Sequence, residues 1–252
     1  MSAFNSILFN IFLVVFGYII GSLNTSIIVG KILKKDPRDY HSKNAGATNS
    51  LRVFGKKIAI IILLIDVIKT ISVVAIGYGL TYWCNLATSI DQNGIVVGVY
   101  GIGLPPYWEG LRTIYGLPLL AGLGTVIGHI FPIFFGFKGG KGVASSLGLL
   151  ISYNIIFLPI AAVFFFGLIF WKRYVSLASL LTASIMIIFV FIPWFNNSVI
   201  AFASNGIYSR NINILNNLNP LQGFIYVLAV LLMFYTHVEN IKRLIKGQER
   251  KI

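Results

Sequence analysis

The sequence predicts an all-α integral membrane protein of seven transmembrane helical segments, two of them short, with the N-terminus outside and the C-terminus inside. Three observations lead there. The chain is 57% hydrophobic but only 11% charged over 252 residues, against about 25% charged in soluble domains, and its mean hydropathy is +0.84. Apolar runs recur at the length of roughly 20 residues that a bilayer requires. Of the 20 Lys and Arg residues, 17 fall in stretches that this topology puts on one side.

Five runs have spanning length: Ile7–Val29, Ile58–Leu80, Leu117–Phe135, Tyr174–Trp194 and Pro220–Tyr235. The stretch Val143–Trp171 allows one long tilted helix or two short ones turning near Asn154 and Pro159. Charge decides, because Lys and Arg favour cytoplasmic loops. A single crossing would send Lys172, Arg173 and the five basic residues of the C-terminus outside; a hairpin keeps them in. The hairpin leaves only Arg112 and Arg210 outside, with Lys69 inside a span. The segments Thr81–Gly116 and Phe195–Asn219 then form the outer loops, with Val96–Leu104, too short to span, as an interfacial turn. One membrane domain, residues 1–252, is the expectation.

Composition also excludes. A formal net charge of +13 suggests nucleic acid only when it covers a soluble face; here the basic residues sit in short loops between spans, so no nucleic acid is expected. Cys84 is the only cysteine, which excludes an internal disulfide and a Cys-rich metal site. Met1–Asn5 carries no Lys or Arg, so a cleaved signal peptide is not expected.

Four inner segments carry candidate chemistry. Gly136-Phe137-Lys138-Gly139-Gly140-Lys141-Gly142 joins two apolar runs. Its glycines are expected to leave backbone N–H groups open, and its lysines add positive charge, a combination suited to a phosphate. It is not a P-loop, since Gly142 stands where that motif has Ser or Thr. Asp39 through Arg52 mixes Ser42, Asn44, Asn49 and Arg52 with small residues; Arg forks onto phosphate oxygens, and Ser and Asn suit hydroxyls. In Trp171–Ser176, Ser176 either bonds a ligand or caps the next helix. In His237–Arg243, His237 and Asn240 share a helical face, with Glu239 placed to pair with Lys242 or Arg243. Within the spans, Asp66 and Lys69 are read as a structural salt bridge and His129 as a packed residue, although intramembrane charge invites a functional reading.

In order along the chain, Gly21-Ser22, Ser42 through Arg52 with Gly55-Lys56-Lys57, Asp66-Val67-Ile68-Lys69, Gly128-His129 leading into Gly136–Gly142, Trp171 through Ser176, and His237 through Arg243 together resemble the bacterial acyl-phosphate:glycerol-3-phosphate acyltransferase family (PlsY). The resemblance implies transfer of a fatty acyl group from acyl phosphate to the 1-hydroxyl of glycerol 3-phosphate, giving lysophosphatidic acid and phosphate, the first step of phospholipid synthesis. It implies a multi-pass enzyme of the bacterial cell membrane, its active site facing the cytoplasm. It implies no cofactor and no metal; an acyl-phosphate-producing enzyme is a possible partner. By resemblance, Ser42, Arg52, Lys141, His237 and Asn240 are catalytic. Asn44, Asn49, Lys138, Gly139, Gly140, Gly142 and Ser176 bind substrate. Ser42 and Arg52 would orient glycerol 3-phosphate, and the glycine loop with Lys141 would hold the acyl-phosphate head. Here His41 and Lys43 flank Ser42, where the family has Gly on both sides.

An acyl phosphate is already activated, so direct transfer is expected. No Ser lies in a nucleophile-elbow sequence. None of His41, His129 or His237 is followed five positions later by an acidic residue, as the other large acyltransferase family requires. Either His237 or the substrate's own phosphate accepts the proton. The competing class is a membrane transporter of a phosphorylated or anionic solute, which polar residues running through several spans or inverted repeats would favour.

Overall fold

A computed structural model describes residues 2–87, 116–192, 194–195 and 219–251. Within them the regular structure is entirely helical. The expected turn at Val96–Leu104, Arg112 and Arg210 lie outside the described residues, as does most of both predicted outer loops.

Among the described residues the ten α-helices are α1 (Ser2–Gly21), α2 (Thr25–Ile32), α3 (Ala47–Phe54), α4 (Lys56–Ala87), α5 (Leu119–Ile130), α6 (Val143–Tyr153), α7 (Phe157–Lys172), α8 (Val175–Val190), α9 (Asn219–Thr236) and α10 (Val238–Ile245). Each of the seven apolar segments read from the sequence carries a helix of at least 11 residues, in whole or in large part. Two stretches, Phe4–Ile32 and Lys56–Cys84, are long and apolar enough to cross a membrane; α9 and α10 pass that test together but are bent by 61°. The helices α5 to α8 are apolar but shorter.

The central element is α5, buried along most of its length and packed most closely against α1. Small residues make that approach possible, as they do generally between membrane helices. A Cβ at Gly17 would lie 1.8 Å from the carbonyl oxygen of Ala121, and one at Gly128 2.2 Å from that of Tyr18. In contrast, α4 and α7 turn large apolar side chains outward, among them Ile61, Ile68, Val163 and Phe170. A helix apolar on all sides needs lipid or protein around it, and these outward side chains are exposed. The main core gathers α5, α6, α8 and α9 around Leu123, Leu150, Met186 and Val230.

Three departures from simple spans position the functional end. The expected helix Ile7–Val29 is interrupted at Ser22–Asn24. There Asn24 takes an extended conformation, accepts the Ile27 N–H at 3.2 Å to cap α2, and donates to the His129 carbonyl at 3.3 Å. The segment Leu117–Phe135 is helical only to Ile130, because Pro132 follows and a 3₁₀ turn, Ile133–Phe135, replaces the last helical turn. Val143–Trp171 is two helices: extended Asn154 ends α6, accepts the Ile156 N–H at 3.0 Å, and donates to the Phe195 carbonyl at 2.7 Å. Pro159 sits inside the first turn of α7, where its missing N–H costs nothing. The helix α4 runs to Ala87, beyond the expected boundary at Leu80.

Candidate active site

The loop leading into α3 is held by one side chain. Asn49, 2% exposed on α3, donates through Nδ2 to the carbonyls of Pro37 (2.7 Å), Asn44 (2.9 Å) and Tyr40 (3.2 Å), and its Oδ1 accepts the Ser42 N–H at 3.2 Å. Its hydrogen-bonding capacity is committed to the loop, so Asn49 shapes the site rather than offering a free ligand. Arg38 then ties this loop to the glycine segment. Its Nη1 donates to the carbonyls of Phe135 (2.8 Å) and Lys138 (3.2 Å), and Asp36 grips the rest of the guanidinium, with a closest contact of 2.8 Å. That pairing raises the Arg38 pKa and lowers that of Asp36.

His41 and Lys43 both have φ of 51°, so the two residues flanking Ser42 lie in the left-handed region. This accounts for glycine at those positions in the family the sequence resembles. A non-glycine residue there costs roughly 1–2 kcal/mol, and the tightly bonded loop imposes it. Lys43→Gly relieves that strain, offset in part by the greater unfolded-state freedom of glycine. The expected outcome is a modest rise in the thermal unfolding midpoint; a fall would mean that the Lys43 side chain itself stabilises the loop.

The glycine segment is not an open cradle. The Gly139 N–H donates to the Ile130 carbonyl at 3.1 Å and the Gly140 N–H to that of His129 at 3.0 Å, while the Gly139 carbonyl accepts the Ala45 N–H at 3.3 Å. A Cβ at Gly139 would lie 2.1 Å from the His129 carbonyl oxygen, and one at Gly140 2.0 Å from His129 Nε2. These glycines let the loop lie against the end of α5. The expectation of uncovered amides at Gly139 and Gly140 is therefore corrected. Lys138, Gly139 and Gly140 also do not line the cavity described next.

That cavity, about 470 Å³, brings together Ser42, Asn44, Asn49, Arg52, Lys141, Gly142, Ser176, His237 and Asn240. Ser42 and Arg52 are exposed at its mouth. Lys141 reaches in from the start of α6: its Nζ donates to Asn240 Oδ1, and its carbonyl accepts the Thr236 hydroxyl at 3.1 Å. Burial lowers the Lys141 pKa to about 8, helped by the positive charges of Arg243 and Arg52 and opposed by Glu249. Arg52 on α3, Lys141 just before α6 and Arg243 on α10 thus concentrate cationic charge at one end of the cavity. Glu249 offsets only part of their mutual repulsion.

His237 stands at the 61° bend between α9 and α10 and is 3% exposed. Its Nδ1 lies 2.7 Å from the Met233 carbonyl, which can only accept, so Nδ1 carries the proton and Nε2 is left as an acceptor. Burial, with the neighbouring Lys141 charge, lowers its pKa to about 4. The ring is neutral at pH 7.

Sequence reasoning missed Glu249. Its Oε1 accepts from Ser176 Oγ (2.8 Å) and Asn240 Nδ2 (2.6 Å), and its Oε2 from Arg243 Nε (2.8 Å). Burial pushes the Glu249 pKa up, and these hydrogen bonds outweigh it, leaving a net lowering. Ser176 thus bonds a carboxylate rather than capping α8. Glu239 pairs with Lys242 at 2.8 Å, so Arg243 is free for Glu249. The signal was Gly247. At φ 67° it reverses the chain after α10, with Gln248 N–H donating to the Arg243 carbonyl at 2.8 Å, a Schellman turn that returns Glu249 to the site.

Behind the glycine segment, Asp66 is 1% exposed. Its Oδ1 accepts from Thr25 Oγ1 (2.7 Å) and pairs with Lys69 Nζ (3.0 Å), and its Oδ2 lies 3.6 Å from His129 Nδ1. The salt bridge expected from the sequence is formed, and His129, expected only to pack, lies beside it. Asp66 and His129 both reach the cavity wall.

Known proteins resemble this chain in sequence and in fold. The model of the glycerol-3-phosphate acyltransferase family matches residues 11–247. The glycerol-3-phosphate acyltransferase of Mycoplasmopsis synoviae (strain 53) is 46% identical, covering 100% of this chain and 98% of its own length. That of Halalkalibacterium halodurans is 33% identical, over 95% and 94%. The crystal structure of PlsY (YgiH), an integral membrane glycerol 3-phosphate acyltransferase, matches in its glycerol 3-phosphate form with a TM-score of 0.67 at 28% identity, covering 96% of this chain and 95% of the other. Its lysophosphatidic acid form matches with a TM-score of 0.65. These relatives give no support to the transporter reading. The chain belongs to the glycerol-3-phosphate acyltransferase family.

Proposed function

We propose that this protein transfers the acyl group of an acyl phosphate to the 1-hydroxyl of glycerol 3-phosphate at the cytoplasmic face of a bacterial cell membrane, within a single domain that crosses the bilayer seven times with its C-terminus inside. The observation that carries the proposal is the two-ended cavity. Arg52, Lys141 and Arg243 meet at one end, while Leu147, Leu150, Phe165 and Met186 line the rest. Two phosphates and one fatty chain require that combination, and it lies at the end of the bundle where the basic loops gather.

The glycerol hydroxyl oxygen attacks the acyl carbon, the bond from that carbon to the phosphate oxygen breaks, and inorganic phosphate leaves. Arg52 with Ser42 is suited to orient glycerol 3-phosphate, and Lys141 to neutralise the donor phosphate and its growing charge. Neutral His237 offers Nε2 to the attacking hydroxyl as a hydrogen-bond acceptor. With a pKa of about 4 it holds a proton poorly at pH 7, so the proton passes to a substrate phosphate oxygen. Asn240 and Glu249 act on the site by fixing Lys141 and Arg243.

Donor identity is tested by supplying the purified protein with glycerol 3-phosphate and either an acyl phosphate or an acyl thioester. Product from the phosphate alone is expected; product from the thioester alone would overturn the assignment. A pH profile adds a sharper expectation. Ligand-free Lys141 loses its proton near pH 8, and kcat/KM reports the free enzyme, so kcat/KM falls as pH rises through about 8. Lys141→Arg, whose guanidinium stays charged, moves that alkaline limb upward. An alkaline limb unchanged in this variant would assign it to another group.

A further inference from the structure

The apolar part of the cavity has a floor. On α8 it is lined by Ser176, Ser179, Ala183 and Met186, spaced three or four apart along one face. On α9 it is lined by Met233 and Tyr226, with His237 just past the helix end. At 1.5 Å rise per residue, Ser176 to Met186 and His237 to Tyr226 each run for ~15 Å. That is half of the ~30 Å hydrocarbon thickness of a bilayer, the depth of one leaflet.

At the far end the walls close. Met186 is 0% and Tyr226 3% exposed. One turn beyond Met186, the Val190 carbonyl accepts the Tyr153 hydroxyl at 3.2 Å, and the Tyr153 and Phe157 rings meet with centroids 5.8 Å apart. All three residues are buried, and none lines the cavity. The side is different: Leu63 of α4 with Leu158 and Phe166 of α7 line the cavity and are each more than a third exposed. The space is therefore open towards lipid at its flank and shut at its base, while the cationic groups hold its other end. Small side chains at Ala161, Ala162 and Ala183 keep it open between.

We propose that Met186 and Tyr226 form the floor of the acyl-chain site and set the longest fatty acyl chain that the enzyme transfers. The proposal rests on the acyl-phosphate reading given above. The donor's tail enters from the lipid side between α4 and α7 and lies along α8 and α9 with its phosphate at Lys141. Chains that fit the leaflet-deep space bury their full length, and longer ones meet Met186.

The test is a chain-length series of saturated acyl phosphates assayed as kcat/KM on the purified full-length enzyme. Each methylene in such a site is worth tenfold or more. Met186→Ala deepens the floor and raises kcat/KM about tenfold for donors just beyond the parent's longest good substrate. Ala183→Leu fills the space above the floor and lowers kcat/KM about tenfold for the parent's longest good substrates, sparing the shortest donors. Activity on those short donors reports that each variant is folded, and Met186→Leu, nearly equal in volume, keeps the parent profile. Unchanged or uniformly scaled profiles in both variants would overturn the floor while leaving the reaction intact. Failure of the parent enzyme with every acyl phosphate would overturn the donor assignment and the floor with it.

Discussion

Replacing Lys141 with alanine lowers kcat/KM by about 10²–10³-fold, the cost of removing one preorganised donor from developing charge in a closed site, and leaves the fold intact. Geometry supports the first half of that expectation. Lys141 touches Asn240, shares its end of the cavity with Arg52 and Arg243, and has its backbone held by Thr236. Its depressed pKa supports the second half. Burial and two positive neighbours disfavour the ammonium in the ligand-free protein, so removing it relieves repulsion rather than breaking a stabilising pair. Steady-state kinetics with either phosphate substrate, beside a thermal unfolding curve, measures both. Parent-like kinetics in Lys141→Ala would remove Lys141 from the site.

Asp66→Ala carries the largest expected cost to stability. Removing one partner of a buried ion pair costs about 3–5 kcal/mol, because the remaining charge is left uncompensated. Here Lys69 would keep only the backbone carbonyls of Gly21 and Leu23, at 3.5 and 3.1 Å, and the Thr25 hydroxyl would lose its acceptor. For a chain of this size the loss amounts to roughly 10 °C in Tm, read in detergent. Asp66→Ala combined with Lys69→Met recovers part of it, since no charge is then stranded. A double variant less stable than the single one would show that Lys69 stabilises the fold independently of Asp66.

Most of the helical content was legible in hydropathy, because a bilayer imposes length and apolarity on anything that crosses it. What hydropathy does not carry is where a segment stops. The break at Ser22–Asn24 depends on a cap and on a bond from Asn24 to His129, far away in sequence, and the early end of α5 depends on Pro132. The site was legible as a set of residues, and the cavity gathers nine of the twelve expected members. Their division of labour was not. Glycines 139 and 140 suggested open amides, yet the same residue type also permits close packing, and contacts with His129 decide for packing. Asn49 looked like a ligand until its bonds to the loop backbone were seen. Glu249 lies 73 residues from Ser176, and only the reversal at Gly247 brings it back.

The most direct test of the account is to incubate the purified protein in detergent with an acyl phosphate and glycerol 3-phosphate and to quantify lipid and inorganic phosphate together. The account predicts lysophosphatidic acid and phosphate in equal amounts, with no phosphate released when glycerol 3-phosphate is omitted. Correctly folded protein that forms no lysophosphatidic acid from this pair would contradict it.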